Sequence, residues 1–433
     1  MASCDAIRIG LIGFGVVGGG VARALHDKAE AIAGHVGCPV VLQHILVRDP
    51  RKARGWVPPD VRLTTSPDGL LDDPDLHMIV ELMGGEQPAL SYLQRALTSG
   101  KHVVTANKEV MAKHGPSLLA QAAESRVALR FEASVGGGIP IIGPLLSDLA
   151  ANNITAVNAI INGTTNYMLT RMANGAASYE EVLQEAQRLG YAEADPTADV
   201  DGIDAAYKLA ILSSLAFRTV VRDVDVYREG ISRLAPIDFK YAADLGYAIK
   251  LLAIGKVKEG VVQARVHPAF LPTDNPLAKV DGVFNAVELE GDLVGWAMFQ
   301  GPGAGSHPTA SAVMGDVLDI ARAIAADRPA LPAPTLDRGL AIQQIDELET
   351  KYYIRLQAYD RPGVMARIAW AFGELGVSLA SVIQKEVGDA VAEIVVTTHT
   401  AREASVQEAV RRIAALNAVR EVSNVVRVED GVA

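Results

Sequence analysis

The run Gly13-Phe14-Gly15-Val16-Val17-Gly18 constrains this chain more than any other stretch. A short β-rich segment, residues 6–12, leads into it, and helix-compatible sequence follows over residues 16–31. Strand, glycine turn and helix in that order are the context that makes the G-x-G-x-x-G pattern informative. Gly13 makes the tight turn. Gly15 lets backbone N–H groups approach a pyrophosphate at the helix N-terminus. Gly18 lets helix and strand pack closely. The pattern predicts an α/β domain, a Rossmann-like doubly wound parallel sheet, in which Gly13, Phe14, Gly15, Val16, Val17 and Gly18 line a dinucleotide.

Further strands of that sheet are expected at residues 39–47, 78–82, 101–105 and 127–132. The second of the sheet's strands ends in Arg48-Asp49, followed by Arg51, Lys52 and Arg54. A basic tip there suits a 2′-phosphate, so NADP(H) is favoured with Arg48 as a contact, while Asp49 leaves NAD(H) possible. In a doubly wound sheet the C-terminal strand ends face the ligand crevice, which places Lys108 near the nicotinamide end. Residues 133–140, Ala-Ser-Val-Gly-Gly-Gly-Ile-Pro, form a backbone-exposing loop. It reads either as an interdomain hinge or as a set of carbonyls for a hard cation.

Beyond Pro140 the pattern changes. Residues 154–162 alternate and are β-branched, predicting a strand that ends in Gly163-Thr164-Thr165-Asn166-Tyr167. Ser178 with Glu181 forms a capping box for a helix reaching Leu189. The next stretch, residues 190–217, begins as a polar loop with Glu193, Asp195, Asp199, Asp201 and Asp204, and becomes an apolar helix holding one cation, Lys208. Asp204 lies one helical turn before it, on the same face. That spacing fits a surface ion pair, but the apolar surround fits a desolvated lysine able to exchange protons near neutral pH. Strands at residues 250–256, 260–267 and 285–290 suggest an open α+β sheet whose free face could carry a ligand or a dimer mate. Residues 300–309 form a second glycine-rich loop with Gly303, Gly305 and a solvated His307, ahead of a helix at residues 310–325.

The chain has 433 residues, enough for two or three domains. Its net charge of −11 argues against nucleic acid as a partner. The two cysteines, Cys4 and Cys38, are too few for a disulfide framework. With no signal-peptide pattern and no long uncharged apolar run, a soluble cytoplasmic protein without membrane contact is expected.

Residues 326–349 have a linker composition. The tail that follows alternates as strand, helix, strand, strand, helix, strand, with a turn at Asp360-Arg361-Pro362-Gly363. That order predicts a ferredoxin-like sandwich.

Taken together, the glycine run, Thr105-Ala-Asn-Lys108, Glu132 with its glycine loop, Asn162-Gly-Thr, Gly190-Tyr-Ala-Glu193-Ala-Asp-Pro, Asp204 and Lys208 resemble homoserine dehydrogenase. The resemblance spans about residues 7 to 325. It implies NAD(P)H-dependent reduction of aspartate 4-semialdehyde to homoserine, on the way to threonine, methionine and isoleucine. Lys208 would then donate the proton, and Asp204 and Glu193 would hold the substrate beside Thr164 and Tyr191. Lys108, Gly190, Gly303 and Gly305 would line the cofactor. Glu132, Val135, Gly137 and Ile139 would hold a monovalent cation, Na+ or K+, mainly through backbone oxygens. The tail resembles an ACT domain, so an amino-acid effector, threonine, is expected at Asp360 and Gly363, in a homodimer or homotetramer.

The expected division is residues 1–139 for the cofactor, completed by 306–328. Residues 140–305 serve substrate and dimerisation, 329–350 are a linker, and 351–433 are regulatory. A related chemistry that oxidises the semialdehyde through a thioester needs a cysteine nucleophile, and neither cysteine falls in the substrate domain. The rival reading is a nucleotide-binding amino-acid sensor without catalysis.

Overall fold

The computed structural model describes residues 5–175, 177–329, 334–386 and 391–430. Short apolar strands separated by helices build a six-stranded sheet: β1 Ile7–Ile12, β2 Val40–Leu46, β3 Arg62–Thr64, β4 Met78–Glu81, β5 His102–Thr105 and β6 Leu129–Arg130. Their order is β3-β2-β1-β4-β5-β6, and every neighbouring pair is parallel. Between β1 and β4 the strand order reverses, which is where such sheets bind ligands. The sheet is buried because both its faces are apolar. Ile7, Ile9 and Leu11 pack with Val21 and Leu25 from one helix and with Val313, Val317 and Ile320 from another. Each such side chain stabilises the fold by about 1.5–3 kcal/mol.

Four helices position the residues of interest here: α1 Val16–Asp27, α2 Ala29–Val36, α3 Lys108–Glu124 and α4 Ile203–Phe217. A fifth, α5, runs Ser306–Ala325. The single helix expected at residues 16–31 is thus two, broken at Lys28, whose φ is −114° and ψ 17°. The break lets Ile32 and Val36 reach the core that Val21 and Leu25 already fill. The strand expected at 127–132 shrinks to β6, because Glu132 opens a one-turn 3-10 helix, Glu132–Ser134. Gln300 to Pro302, read as loop, end a strand, Gly295–Pro302, and α5 starts at Ser306 rather than Ala310.

The chain forms two compact units. The first comprises Met1–Val157, Tyr207–Asp225 and Asn285–Leu340, and the second Asn158–Ala206, Val226–Phe284 and Ala341–Ala433. Helix α4 is continuous through the boundary, with Asp204 in its first turn.

Within the second unit, Tyr247–Lys258 pairs antiparallel with Val261–Pro272 along its whole length. The sheet continues through Val419–Val428, Glu349–Tyr359, Val391–Thr398 and Leu379–Glu386. The last four strands, with helices α6 Val364–Glu374 and α7 Glu403–Ala414, form the expected ferredoxin-like sandwich. Its core holds Ile354, Leu356, Ile368, Phe372, Val406 and Ile413. The sandwich does not stand apart: Ala269 pairs with Arg427 and Phe270 with Val428 in a short parallel ladder. Within the stretch read as linker, Ala341–Ile342 pairs with Val261 and Val262. A helix, Gly163–Gly175, occupies the place where the sequence reading saw only polar groups after a strand.

Candidate active site

The glycine run behaves as its chemistry requires. Gly13 sits at φ +93°, and a Cβ there would lie 2.8 Å from the Leu82 carbonyl oxygen. A Cβ on Gly18 would lie 2.2 Å from the Gly13 oxygen, while one on Gly15 would meet nothing within 4 Å. The first and third glycines are therefore packing requirements, and the second leaves room for a ligand. Val17 packs against the core, Phe14 lies under Arg54, and Val16 is 73% exposed at the start of α1. The Ser306 hydroxyl donates to the Val16 carbonyl at 2.9 Å, so the N-termini of α1 and α5 converge. Gly305, at φ +119°, precedes α5. Two helix N-termini at one place favour a bound anion such as a pyrophosphate.

Arg48 is exposed at the tip of β2. Arg54 is committed elsewhere: its guanidinium donates to the carbonyls of Asp49 at 2.8 Å and Lys52 at 2.9 Å. Asp49 accepts from the Arg51 N–H at 2.8 Å, closing the turn. Gly303 has a packing role. A Cβ there would lie 2.0 Å from the Asn285 amide, and one on Gly137 would lie 2.3 Å from the Gly303 oxygen. The two glycine loops cross at that point, and the Gly138 N–H donates to Pro302 at 3.1 Å.

The loop from Glu132 is held by its carboxylate. Glu132 accepts from the N–H groups of Ile141 at 2.6 Å, Ile142 at 2.9 Å and Gly143 at 2.5 Å. Its side chain thereby caps the short helix Ile142–Leu146, which leaves backbone carbonyls as the donors for any cation here. Val135 and Ile139 are buried, and Gly137 adopts φ +58°. The Glu132 N–H donates to Asp316 at 2.9 Å. Burial pushes the Asp316 carboxyl from 3.8 up to about 8, against the pull of that hydrogen bond. The unfolded chain loses this proton at ordinary carboxylate pH and the folded chain does not, so stability falls as pH rises through that window. Asp316→Asn keeps the acceptor and is expected to flatten the slope between about pH 5 and 8. Thermal melts across that range check this, and an unchanged slope rejects it.

At the ends of β4 and β5 a second carboxylate is buried. Glu81 is wholly inaccessible; it accepts from the Met83 N–H at 2.7 Å and the Thr105 hydroxyl at 2.5 Å. Burial pushes it up to about 7. Thr105 accepts from the Asn107 N–H at 3.0 Å. Asn107 caps α3 by accepting from the Val110 N–H at 3.1 Å, and Lys108 is the first residue of that helix.

In the second unit, Asn162 donates to Asp199 at 2.7 Å and to Asp204 at 2.9 Å. Its carbonyl accepts from the Thr165 N–H at 2.8 Å, so the amide is oriented and Asp204 is held in place. Asp204 is buried; Lys208, one turn further along α4 in the stretch that belongs to the first unit, is buried too. Glu193 is exposed on the acidic loop. Thr164 donates to the Tyr191 carbonyl at 2.7 Å, and the Tyr191 ring lies 4.9 Å from that of Tyr167. Gly190, at φ +77°, closes the helix Tyr179–Arg188, whose capping box at Ser178 and Glu181 is present. In the tail, Asp360 accepts from the Gln384 amide at 3.2 Å, and Gly363 opens α6 at φ +86°.

Models of known families match three segments. Residues 13–132 match the homoserine dehydrogenase NAD-binding domain, 140–318 match homoserine dehydrogenase, and 352–418 match the ACT domain. A homoserine dehydrogenase of Synechocystis is 44% identical over 439 aligned residues, covering 98% of this chain and 99% of that one.

The chain belongs to the homoserine dehydrogenase family.

The homoserine dehydrogenase structure from Thiobacillus denitrificans is 42% identical, superposes with a TM-score of 0.93, and covers 99% of both chains. That of S. aureus at pH 6.0 is 34% identical with a TM-score of 0.78, covering 99% of this chain and 100% of that one. A hyperthermophilic archaeal homoserine dehydrogenase in complex with NADPH is 28% identical with a TM-score of 0.62, covering 73% of this chain and 97% of that one. As a homoserine dehydrogenase the chain is an oxidoreductase with an NAD(P)-binding domain and an ACT domain, which sets aside the sensor without catalysis. No helix among the described residues is long and apolar enough to cross a membrane.

Sequence reasoning missed Glu81 and Asp316, two buried carboxyls of this homoserine dehydrogenase that burial pushes upward. Glu81 carried a signal, a lone charge inside an apolar strand; Asp316 carried none beyond its place on an amphipathic helix.

Proposed function

We propose that the enzyme interconverts aspartate 4-semialdehyde and homoserine with Lys208 as the acid–base group. The observation that carries this is α4, which bears a buried lysine one turn after a buried carboxylate held by Asn162. A bound nicotinamide supplies the hydride to the aldehyde carbon, or accepts it in the reverse direction. The Lys208 ammonium stabilises the charge developing on the carbonyl oxygen and delivers the proton that makes the hydroxyl. Asp204, Glu193, Thr164 and Tyr191 orient the substrate, with Glu193 toward its ammonium group. Lys108 stands near the nicotinamide, and Gly190, Gly303 and Gly305 line the cofactor. Val135, Gly137 and Ile139, with the Glu132 segment, offer carbonyl oxygens to Na+ or K+.

NADP(H) is the preferred cofactor, supported by the exposed Arg48 and its basic neighbours. Arg48→Ala is expected to raise KM for NADP+ about tenfold, the worth of one charge-assisted contact, with little change for NAD+. Equal effects on both cofactors reject this. The pathway leads to threonine, methionine and isoleucine, and threonine inhibits through Asp360 and Gly363. The protein is a cytoplasmic homodimer or homotetramer. Residues 1–139 with 306–328 bind the cofactor, 140–305 bind substrate and dimerise, and 329–350 connect to the regulatory 351–433. An absorbance assay with homoserine and NADP+ or NAD+ at alkaline pH, with and without threonine, tests the reading. No reduction of either cofactor rejects it.

A further inference from the structure

Three strand ends of the parallel sheet meet at one residue that carries no role in the reaction described above. Glu81 pairs with Ile12 on β1 and with Thr105 on β5, and it is the last residue of β4. Each of those strands opens a loop of the cofactor crevice. Gly13 follows β1, Met83-Gly84-Gly85 follow β4, and Ala106-Asn107-Lys108 follow β5.

The loops are tied to one another through polar groups. One oxygen of Glu81 accepts from the Met83 N–H at 2.7 Å and the other from the Thr105 hydroxyl at 2.5 Å. Thr105 in turn accepts from the Asn107 N–H at 3.0 Å. The Asn107 amide reaches back across, donating to Gly85 at 2.8 Å and Met83 at 3.4 Å. The ring closes: carboxylate, hydroxyl, backbone, amide and backbone again. Because Asn107 also caps α3, the ring sets where Lys108 leaves the sheet.

An inaccessible carboxylate is costly to keep in a strand end, since burial disfavours it unless hydrogen bonds compensate. A hydrophobic residue would serve the core more cheaply. The placement makes sense if the group orders two loops at the ligand end.

We infer that Glu81, through Thr105 and Asn107, is a positioning residue for Lys108 and for the Met83–Gly85 loop in hydride transfer. The inference rests on the reading that Lys108 stands beside the nicotinamide. Misplacing a reacting group by about 1 Å costs on the order of a hundredfold in rate.

The test uses the full-length enzyme. Glu81→Gln keeps the shape and one acceptor but presents an amide to Thr105; Thr105→Val removes the hydroxyl. Each is expected to lower kcat about 10- to 100-fold. The NADP+ dissociation constant, read by fluorescence titration, should stay within about threefold. Thr105→Ser restores most of what Thr105→Val loses. The double variant Glu81→Gln/Thr105→Val falls no further than the worse single one, because both act through one ring. Additive losses, or losses that only follow the folded fraction in thermal melts, overturn the inference. So do single variants with kcat within about threefold of the parent. Lys108→Ala separates the two levels. Unchanged kinetics in that variant sink the reading of Lys108 itself. A damaged Lys108→Ala beside unaffected Glu81→Gln and Thr105→Val sinks only the inference about Glu81.

Discussion

Lys208→Ala is expected to lower kcat by about 10²- to 10⁴-fold, the usual contribution of a positioned acid–base group. The dissociation constant for NADP+ should stay within about threefold, because the glycine run and the helix N-termini that suit the pyrophosphate are untouched. The split decides between two accounts of a buried lysine. If Lys208 only supports the fold, its loss lowers the folded fraction and leaves the turnover of folded molecules alone. If it moves the proton, folded molecules fail to turn over. Lys208→Met fills the same volume without the charge and guards against a simple cavity effect. Lys208→Arg keeps the charge but cannot give up a proton near neutral pH, so it should be nearly as inactive as the alanine variant. An arginine variant at parental kcat rejects proton transfer and leaves only electrostatic stabilisation. Asp204→Asn should act differently, since the amide disturbs the contact with Asn162 and the orientation of whatever lies beside it.

Much of this was legible because the relevant signals are local. The fingerprint glycines, the capping box at Ser178 and the lysine in an apolar helix each sit within a few residues of what gives them meaning. Period-two and period-3.6 patterns gave the parallel sheet and the ferredoxin-like tail in the right order. What failed was non-local or masked. The partner of the Glu132 N–H, Asp316, is 184 residues away, and no periodicity points to it. The packing of Gly303 against Asn285 and its crossing with Gly137 join loops far apart in the chain, so no local pattern shows them. Helix Gly163–Gly175 opens with Gly-Thr-Thr-Asn, a sequence whose side chains favour turns, and its helical face appears only later at Met168, Leu169 and Met172. Helix α5 begins through His307 and Pro308, which looks like loop until proline is placed in a first turn, where its missing N–H does no harm.

Asp238→Ala is expected to destabilise the protein by about 3–5 kcal/mol, the cost of leaving a buried charge without its partner. Asp238 is wholly inaccessible on the helix Pro236–Asp244. It accepts from Arg355 Nε at 2.7 Å, Tyr353 OH at 3.0 Å and Asn424 Nδ2 at 2.8 Å, all three on strands of the ferredoxin-like tail. Arg355 also lies 3.5 Å from Glu393, which accepts from Tyr241 at 2.7 Å. A second buried cluster joins the same parts: Arg265 donates to Glu429 at 2.8 Å, and Arg427 donates to Glu229 at 2.8 Å. A double-mutant cycle with Arg355→Met separates pairing from packing. Removing both partners should cost less than the sum of the single losses, by an interaction energy of about 1–3 kcal/mol. Strict additivity in denaturant melts rejects the pairing. The clusters also bear on regulation. Cutting the chain after about residue 348 strips Asp238 and Arg265 of these partners and takes the paired strand from Val261–Pro272. Such a truncation perturbs the catalytic part whether or not the tail senses threonine, so lost sensitivity in a truncated chain does not identify the sensor. Asp360→Ala in the intact chain leaves every one of those buried contacts in place. Loss of threonine inhibition there, with unchanged melting and unchanged kcat, locates the effector, and full inhibition moves it elsewhere.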